Sequence, residues 1–573
     1  MYRNLLEVLE KMAHQHPDRK AFVYLKDGEV ESDSCTYREL CRQSQKLAAY
    51  FQLLNLEGER IMILLPSGID YIIAFFGCMY AKSLPVPVYP PSKSRNAERI
   101  ASIYNDAKPA LVIVQSLQDS EKLPEMMRNV HSIKLEEILQ SDYEYMPQVD
   151  TILSDQIAFL QYTSGSTSAP KGVMVSHLNL LHNFEMMKQR FQHSDHTVMA
   201  TWLPIYHDMG LIGVVLQNIY NGGCCYIMSP LDFVQKPIRW LRTISKYGVT
   251  FSGGPDFAYR LCVQKISDED KSDLNLSHWV NAFNGAEPVR ADTIREFCNA
   301  FRECGFREEA MLPSYGLAEG TLCVTVGERE AAPKFLHIDE KGLQSNDIVI
   351  EDCSPNTSRA QVGCGQILSY QQIIIVDPLT MIECAAGKAG EIWIKGDSAA
   401  KGYWGAPEGS KETFAACLSD TGEGPFLRTG DLGFICDGEL YITGRLKDLI
   451  IIRGQNYYPH DIEEIAASCH SEINVASTAA FSIDVQGNEE LVVLCEMNRE
   501  FKHIVQRQQL DMEMCLKEIT RHIKAEIIEK FQLHTYDIKI VKPLNIPKTS
   551  SNKIQRRKCK DMYLNGSLIV WGD

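Results

Sequence analysis

The chain has 573 residues, enough for several domains or subdomains, and 45% of them are apolar, enough to build sizeable cores. Lysine and arginine total 58 against 74 aspartates and glutamates, a net charge of −16, which argues against a nucleic-acid backbone as the main partner because phosphate contacts need a basic surface. The 18 cysteines are scattered, with no CxxC and no Cys/His ladder, so reduced thiols in a cytoplasmic protein are expected.

The N-terminus places Leu5, Leu6, Leu9 and Met12 on one face of an amphipathic helix, a pattern unlike the continuous apolar core of a signal peptide. Thr36 and Glu39 match a capping box that opens a helix through Tyr50. Ile61–Leu65 reads as a strand, Tyr71–Ala81 as a buried helix and Leu111–Val114 as a strand. The run Tyr71–Ala81 is the most apolar in the chain and is far too short to span a bilayer, so no membrane span is expected. Strands alternating with helices predict a largely parallel α/β sheet.

Gln156–Gln161 is an apolar strand, and after it comes YTSGSTSAPKGVMVSH. Hydroxyls stand at Thr163, Ser164, Ser166 and Thr167, glycines at Gly165 and Gly172, and an amine at Lys171. Small residues bring backbone N–H groups close to an anion, hydroxyls add donors and the lysine adds charge, so this is a phosphate-gripping loop by composition. It is not a P-loop, since GxxxxGK[ST] does not occur here. Ser176 can cap the helix that begins LNLLHNF.

The α/β alternation continues with strands at Val198–Trp202, Cys224–Met228 and Val249–Ser252, and helices at Leu211–Tyr220 and Pro237–Ser245. At three strand ends, polar residues face the usual ligand crevice of such a sheet. Tyr206, His207 and Asp208 follow the first, although a lone His-Asp pair by itself reads as a structural histidine. Asn284, Gly285, Ala286 and Glu287 follow the second. Ser314, Tyr315 and Gly316 end the third, where Tyr315 offers a stacking face and Glu319 is an acid placed to hold a divalent cation beside phosphates.

From Gly327 to Ile367 the texture turns polar and irregular or β-rich. Strands at Gln372–Val376, Glu391–Lys395 and Leu440–Thr443 then suggest a small β subdomain, with Asp437–Leu440 as a hairpin turn. Asp431 sits in a Thr-Gly-Asp turn where a carboxylate can accept two hydroxyls of a ribose; read alone, the region is an ordinary β-meander with surface charges. Pro459 stands at the start of a helix. The remainder is a small α/β unit with strands at Ala476–Ser482, Leu491–Glu496 and Ile538–Val541, a long helix at Gln508–Phe531, and a closing polar loop that carries Lys553. Read alone, that loop is a solvated basic tail.

YTSGSTSAPKG, NGAEP, SYGLAE, LRTGDLG, GRLKDLIIIRG and PKTSSNKIQ occur in the order found in the adenylate-forming superfamily of acyl-CoA synthetases, luciferases and nonribosomal-peptide adenylation domains. The chain resembles that superfamily nearly end to end. Within it the chain most resembles the fatty acyl-AMP ligases, through WLPIYHDMGL, GEIWIKGDSAAKGYW, RLKDLIIIRGQNYYPHDIE and the polar segment at 327–367, where those ligases carry an insertion that hinders the CoA-dependent step.

The resemblance implies an α/β fold: a large N-terminal domain over 1–446, of two α/β subdomains plus a small β subdomain at 368–446, then a small mobile α+β C-terminal domain over 447–573. It implies a ligase that uses ATP and Mg²⁺ to convert a medium- or long-chain fatty acid to its acyl-adenylate. The acyl group then goes to the phosphopantetheine thiol of an acyl carrier protein or of a polyketide or nonribosomal peptide synthase carrier domain. The alternatives are a fatty acyl-CoA synthetase and a catalytically dead member of the fold.

By the same resemblance, Thr163, Ser164, Gly165, Ser166, Thr167 and Lys171 would hold the β/γ-phosphates. Tyr315, between Ser314 and Gly316, would stack on adenine, with the turn of Asn284, Gly285, Ala286 and Glu287 along the same ring. Asp431 would bind the ribose, Arg445 would sit by ribose and phosphate, and Glu319 would hold Mg²⁺. His207 would lie near the acyl carboxylate, Lys553 would bridge carboxylate and α-phosphate, and Lys447 would be the hinge. Ala318 replaces a threonine that many relatives carry, and Asn552 replaces a glycine, which bears on how Lys553 is placed.

Overall fold

In the structure, a computed structural model, all residues are described except 1, 92–96, 117–118, 120, 128–129, 142, 164–169, 351–357, 550–552 and 572–573; side chains of 358 and 475 are also left aside. Ser164, Gly165, Ser166, Thr167 and Asn552 therefore lie outside the described residues.

A parallel run of strands organises the first half of the chain. Lys20–Lys26, Cys224–Met228, Val198–Thr201, Phe251–Gly254, Asn281–Asn284 and Met311–Gly316 lie side by side in that order. Phe251–Gly254 and Asn281–Asn284 are buried at every position, as expected of strands covered on both faces. A second parallel sheet orders Leu84–Pro87, Arg60–Leu64, Leu111–Val114 and Ser132–Lys134. The helix Ile69–Tyr80 is buried along almost its whole surface, which explains its unbroken apolar sequence. The N-terminal helix Leu5–Gln15 turns Leu5, Leu6, Leu9 and Met12 into the core. The capping box of Thr36 and Glu39 is formed, and its helix runs Tyr37–Leu53.

Strand direction changes after Met311–Gly316. An antiparallel series follows through Cys323–Val326, Ser358–Ile367, Glu439–Arg445, Leu427–Cys436, Gly390–Gly396 and Gln371–Val376. The β-rich region thus takes in Ser358–Ile367, across the expected boundary at 368. The hairpin turn between Cys436 and Glu439 has Asp437 and Gly438 at φ +48° and +75°, the two left-handed positions that an Asp-Gly pair supplies. The C-terminal unit pairs Ile473–Val485, Asn488–Met497 and Thr535–Val541 and has its own core around Ile462, Val493, Ile523 and Ile527.

Two helices differ from expectation. The helix expected over Gln508–Phe531 starts at Met512, because the Asp511 side chain accepts from Met514 N–H and caps it. Before it, Phe501–Arg507 forms a separate helix, and Gln509 at φ +54° breaks the path between them. The helix expected over Leu211–Tyr220 opens with a wider π turn, Leu211–Leu216, before Gln217–Asn221.

Gly316 ends its strand where the returning chain passes closest. A Cβ there would stand 1.9 Å from the carbonyl oxygen of Leu322, a backbone atom that cannot swing aside. Gly316→Ala is expected to destabilise the protein by roughly 2–4 kcal/mol in denaturant unfolding, above the usual cost of overpacking; a loss below about 0.5 kcal/mol would show that the two strands part freely.

Candidate active site

The expected residues gather at the carboxyl edge of the parallel strands. Asn284 and Pro313 are register partners on adjacent strands, so the Asn284 and Ser314 turns lie together. A Cβ on Gly285 would meet the Ser314 carbonyl oxygen and Oγ, each at 2.7 Å, so glycine there serves chain–chain approach. Ala286 holds φ at +69°, a strained value for a non-glycine residue. Asn284 is fully buried and donates from Nδ2 to Asp256 Oδ1 at 3.2 Å. Glu287 Oε1 accepts from Phe257 N–H at 2.6 Å. Both side chains thus pin the start of helix Asp256–Lys265.

A second set joins the Tyr315 strand to the antiparallel region. Tyr315 Oη donates to Asp431 Oδ2 at 2.8 Å, and Arg445 Nε donates to Asp431 Oδ1 at 3.0 Å. Asp431 and Arg445 are also register partners across the strand pair. Glu391, buried behind this turn, accepts from Gly430 N–H at 3.1 Å, Trp393 Nε1 at 3.0 Å and Arg428 Nη2 at 2.7 Å. Glu391 therefore fixes the Thr-Gly-Asp turn from behind, a role that the sequence reading missed.

Tyr403 was also missed, although it stands in the quoted GYW. Its Oη donates to Glu319 Oε1 at 2.8 Å, and Lys171 Nζ lies 4.3 Å from the centre of its ring. One aromatic side chain thus spans the candidate metal-holding acid and the lysine of the phosphate loop. Burial raises the Glu319 carboxyl above its ordinary value, and the Tyr403 hydrogen bond opposes this. Among the described residues no group of three His, Cys, Asp or Glu could cage a metal. A single acid beside a phosphate loop instead fits Mg²⁺, which is usually held by one or two carboxylates together with substrate phosphates. Of the loop itself, Thr163 N–H donates to the Lys171 carbonyl at 3.2 Å, closing the hairpin of Ile157–Tyr162 and Gly172–Ser176.

His207 Nδ1 lies 2.6 Å from Asp208 Oδ1. Burial pushes Asp208 up, yet His207, the Met209 N–H and Lys553 together hold it below the ordinary carboxylate range. Lys553 therefore reaches this edge from the C-terminal loop. The loop is closed by Thr549 N–H donating to the Lys553 carbonyl at 2.8 Å. Burial, with the Arg445 guanidinium, pulls the Lys553 ammonium below its ordinary range, against the carboxylates of Asp208, Glu287 and Asp431. Lys447 is exposed on the short turn Leu446–Asp448 that leads into the C-terminal unit.

The fold is that of a nucleotide-handling α/β enzyme. The chain belongs to the AMP-binding enzyme family, which it matches over residues 9–404; residues 447–571 match the Disco-interacting protein 2-like AMP domain. It is 38% identical to the medium-chain-fatty-acid–[acyl-carrier-protein] ligase JamA of Moorena producens, over 100% of this chain and 96% of that protein. Among solved structures it resembles the fatty acyl-adenylate ligase of Legionella pneumophila in complex with acyl adenylate and pyrophosphate, at 39% identity and TM-score 0.76, covering 100% of this chain and 97% of that one. A structure from a study of fatty acyl-adenylate ligases from E. coli and L. pneumophila matches at 28% identity and TM-score 0.89, over 99% and 98% of the two chains.

Burial, with Asp256 nearby, raises the Glu287 carboxyl from 4.5 to about 7. The folded protein thus holds a proton that the unfolded chain releases, so Glu287 makes stability fall as pH rises from about 4.5 to 7. Glu287→Gln keeps an oxygen for Phe257 N–H and removes the charge. It is expected to make the variant more stable relative to wild type at pH 8 than at pH 5 by roughly 1–2 kcal/mol in urea unfolding. Parallel stability curves for the two proteins would contradict it.

Proposed function

We propose that this protein is a fatty acyl-AMP ligase acting in the cytoplasm. It activates a medium- or long-chain fatty acid with ATP to the acyl-adenylate, releases pyrophosphate, and passes the acyl group to the phosphopantetheine thiol of an acyl carrier protein or synthase carrier domain. The observation that carries this reading is Lys553, which the C-terminal loop brings within electrostatic reach of Asp208, Glu287, Asp431 and Arg445. The printed name of JamA and the acyl-adenylate in the Legionella complex support it. Every described cysteine is a free thiol, which suits a reducing compartment. No helix among the described residues is long and apolar enough to cross a membrane.

In this reading residues 1–446 form the adenylation domain and residues 447–573 a C-terminal domain that turns about Lys447. An oxygen of the fatty carboxylate forms a bond to the α-phosphorus of ATP, and the bond from that phosphorus to the bridging oxygen of pyrophosphate breaks. The carboxylate is ionised near neutral pH, so no general base is needed. The barrier lies in bringing two anions into line, and residues that neutralise and position them lower it. Lys553 bridges carboxylate and α-phosphate, and His207, oriented by Asp208, lies by the carboxylate. The loop Thr163–Lys171 holds the departing phosphates. Tyr315 stacks on adenine beside the turn Asn284–Glu287, and Asp431 and Arg445 take the ribose. Glu319, oriented by Tyr403, would hold Mg²⁺, which supplies charge neutralisation to the phosphates when bound.

The segment 327–367 favours the ligase over a CoA synthetase, because it grips the C-terminal domain. Arg359 Nη1 lies 2.6 Å from Asp461 Oδ2, and its Nη2 lies 2.6 Å from His460 Nε2. Glu340 pairs with Lys530 at 3.3 Å, and Asn456 donates to Asn346 at 3.1 Å. Ile338 and Leu343 pack with Tyr458, Leu446 and Leu449 around the hinge. Turning the domain for a second step with CoA requires parting these contacts.

The test is product analysis by mass spectrometry of protein, ATP, Mg²⁺ and a medium- or long-chain fatty acid, with and without CoA. Acyl-AMP that accumulates regardless of CoA supports the ligase. Acyl-CoA formed as fast as adenylate disappears makes the protein a synthetase. Lys553→Ala is expected to slow adenylation in single turnovers by roughly 10²–10³-fold, the scale of losing one transition-state donor; a near-wild-type rate removes Lys553 from the chemistry.

A further inference from the structure

Arg99 is a half-buried cation with a buried Nε and no counter-ion among the described residues. It stands in the first turn of helix Ala97–Ala107 and donates from Nη2 to the carbonyl of Thr163 at 2.9 Å. Its Nε is buried and has no partner, and among the described residues no carboxylate pairs with it. Guanidinium does not give up its proton in proteins, so burial cannot neutralise it. An unpaired buried charge is costly and calls for an anion. Tyr89, 5% exposed, also has a buried Oη without a partner. Both side chains line one small cavity of about 20 Å³, walled by Tyr162, Tyr206 and His207 and by Pro87, Val88 and Ile103.

The cavity lies between two parts of the candidate site. His207 forms one wall, and the carbonyl that Arg99 holds belongs to Thr163, where the phosphate loop begins. Arg99 is therefore tied to the loop through Nη2 and keeps Nε free for a ligand. The Tyr89 ring packs edge-on to Tyr206, and both residues line the same cavity. The cavity volume suits one or two oxygen atoms rather than an acyl chain.

We propose that Arg99 and Tyr89 form an anion subsite that takes an oxygen of the pyrophosphoryl group, both within ATP and as free pyrophosphate, while Arg99 also positions the phosphate loop through Thr163. This rests on the adenylation reading above. A fatty carboxylate is the competing occupant, and it would make the same residues a fatty-acid subsite.

The experiment titrates inorganic pyrophosphate with Mg²⁺ into the full-length protein by calorimetry and follows fatty-acid-dependent ATP–pyrophosphate exchange in parallel. Arg99→Gln is expected to weaken pyrophosphate binding roughly 10- to 100-fold, the loss of one charge-assisted hydrogen bond. Arg99→Lys is expected to restore part of it. Tyr89→Phe is expected to weaken it roughly 2- to 10-fold, as for a neutral hydrogen bond. The KM for fatty acid should stay within about twofold, since no uniform binding to the acid is lost. Unchanged pyrophosphate affinity in Arg99→Gln and Tyr89→Phe overturns the subsite, as does a raised fatty-acid KM with pyrophosphate affinity intact. If Arg99→Gln does not fold, Arg99→Lys and Tyr89→Phe decide, and unchanged affinity in both overturns it. Wild-type protein that shows no exchange with any fatty acid sinks the adenylation reading itself. An active wild type with unaffected variants sinks only the subsite.

Discussion

The carboxyl edge of the sheet gathers charge around one ammonium that lies within electrostatic reach of three carboxylates. Lys553 comes from a loop far from the sheet in sequence and faces Asp208, Glu287 and Asp431, with Arg445 opposing it. Removing an ammonium from water is costly, and the carboxylates offset part of that cost only while the C-terminal loop stays docked. The same interaction acts on its partners. It helps hold Asp208 ionised and restrains the rise of Glu287. The site is thus a charge lattice shared by two parts of the chain, and its stability and its chemistry draw on the same contacts.

Around that lattice the supporting residues act from behind. Glu391 collects three donors and so fixes the turn that presents Asp431. Asp256 accepts from Asn284 Nδ2, Arg290 N–H and Thr293 Oγ1 and so anchors the turn that carries Glu287. Tyr403 joins Glu319 to Lys171. A net charge of −16 is compatible with polyanionic substrates for this reason. The chain is acidic as a whole, while Arg445 and Lys553 lie within electrostatic reach of each other at one edge of the sheet, where local charge outweighs the distant average.

The segment 327–367 is the second constraint. Its ion pairs and apolar contacts reach the C-terminal unit on either side of the hinge. Each half-buried pair is modest alone, but several contacts that must part together hold the two segments more firmly than any one of them.

Much was legible in the sequence because it depends on local pattern. The capping box at Thr36, the helix cap at Ser176, the apolar strands such as Leu111–Val114, the Asp-Gly hairpin at Asp437 and the proline that starts Pro459–Ser468 are all set by neighbouring residues, and all are formed. The ordered motifs placed Tyr315, Glu319, Asp431, Arg445 and Lys553 in one site. Only the tertiary structure decided what each partner does. Asn284 and Glu287 turn toward protein groups, Gly316 is required by a passing carbonyl, Tyr403 bonds Glu319, and Arg99 holds the Thr163 carbonyl, contacts that no local pattern marks. The physical reason is range. Helix caps, turns and hydrophobic periodicity are fixed by residues within a few positions of one another. A buried charge or a close backbone approach is fixed by atoms that folding alone brings together.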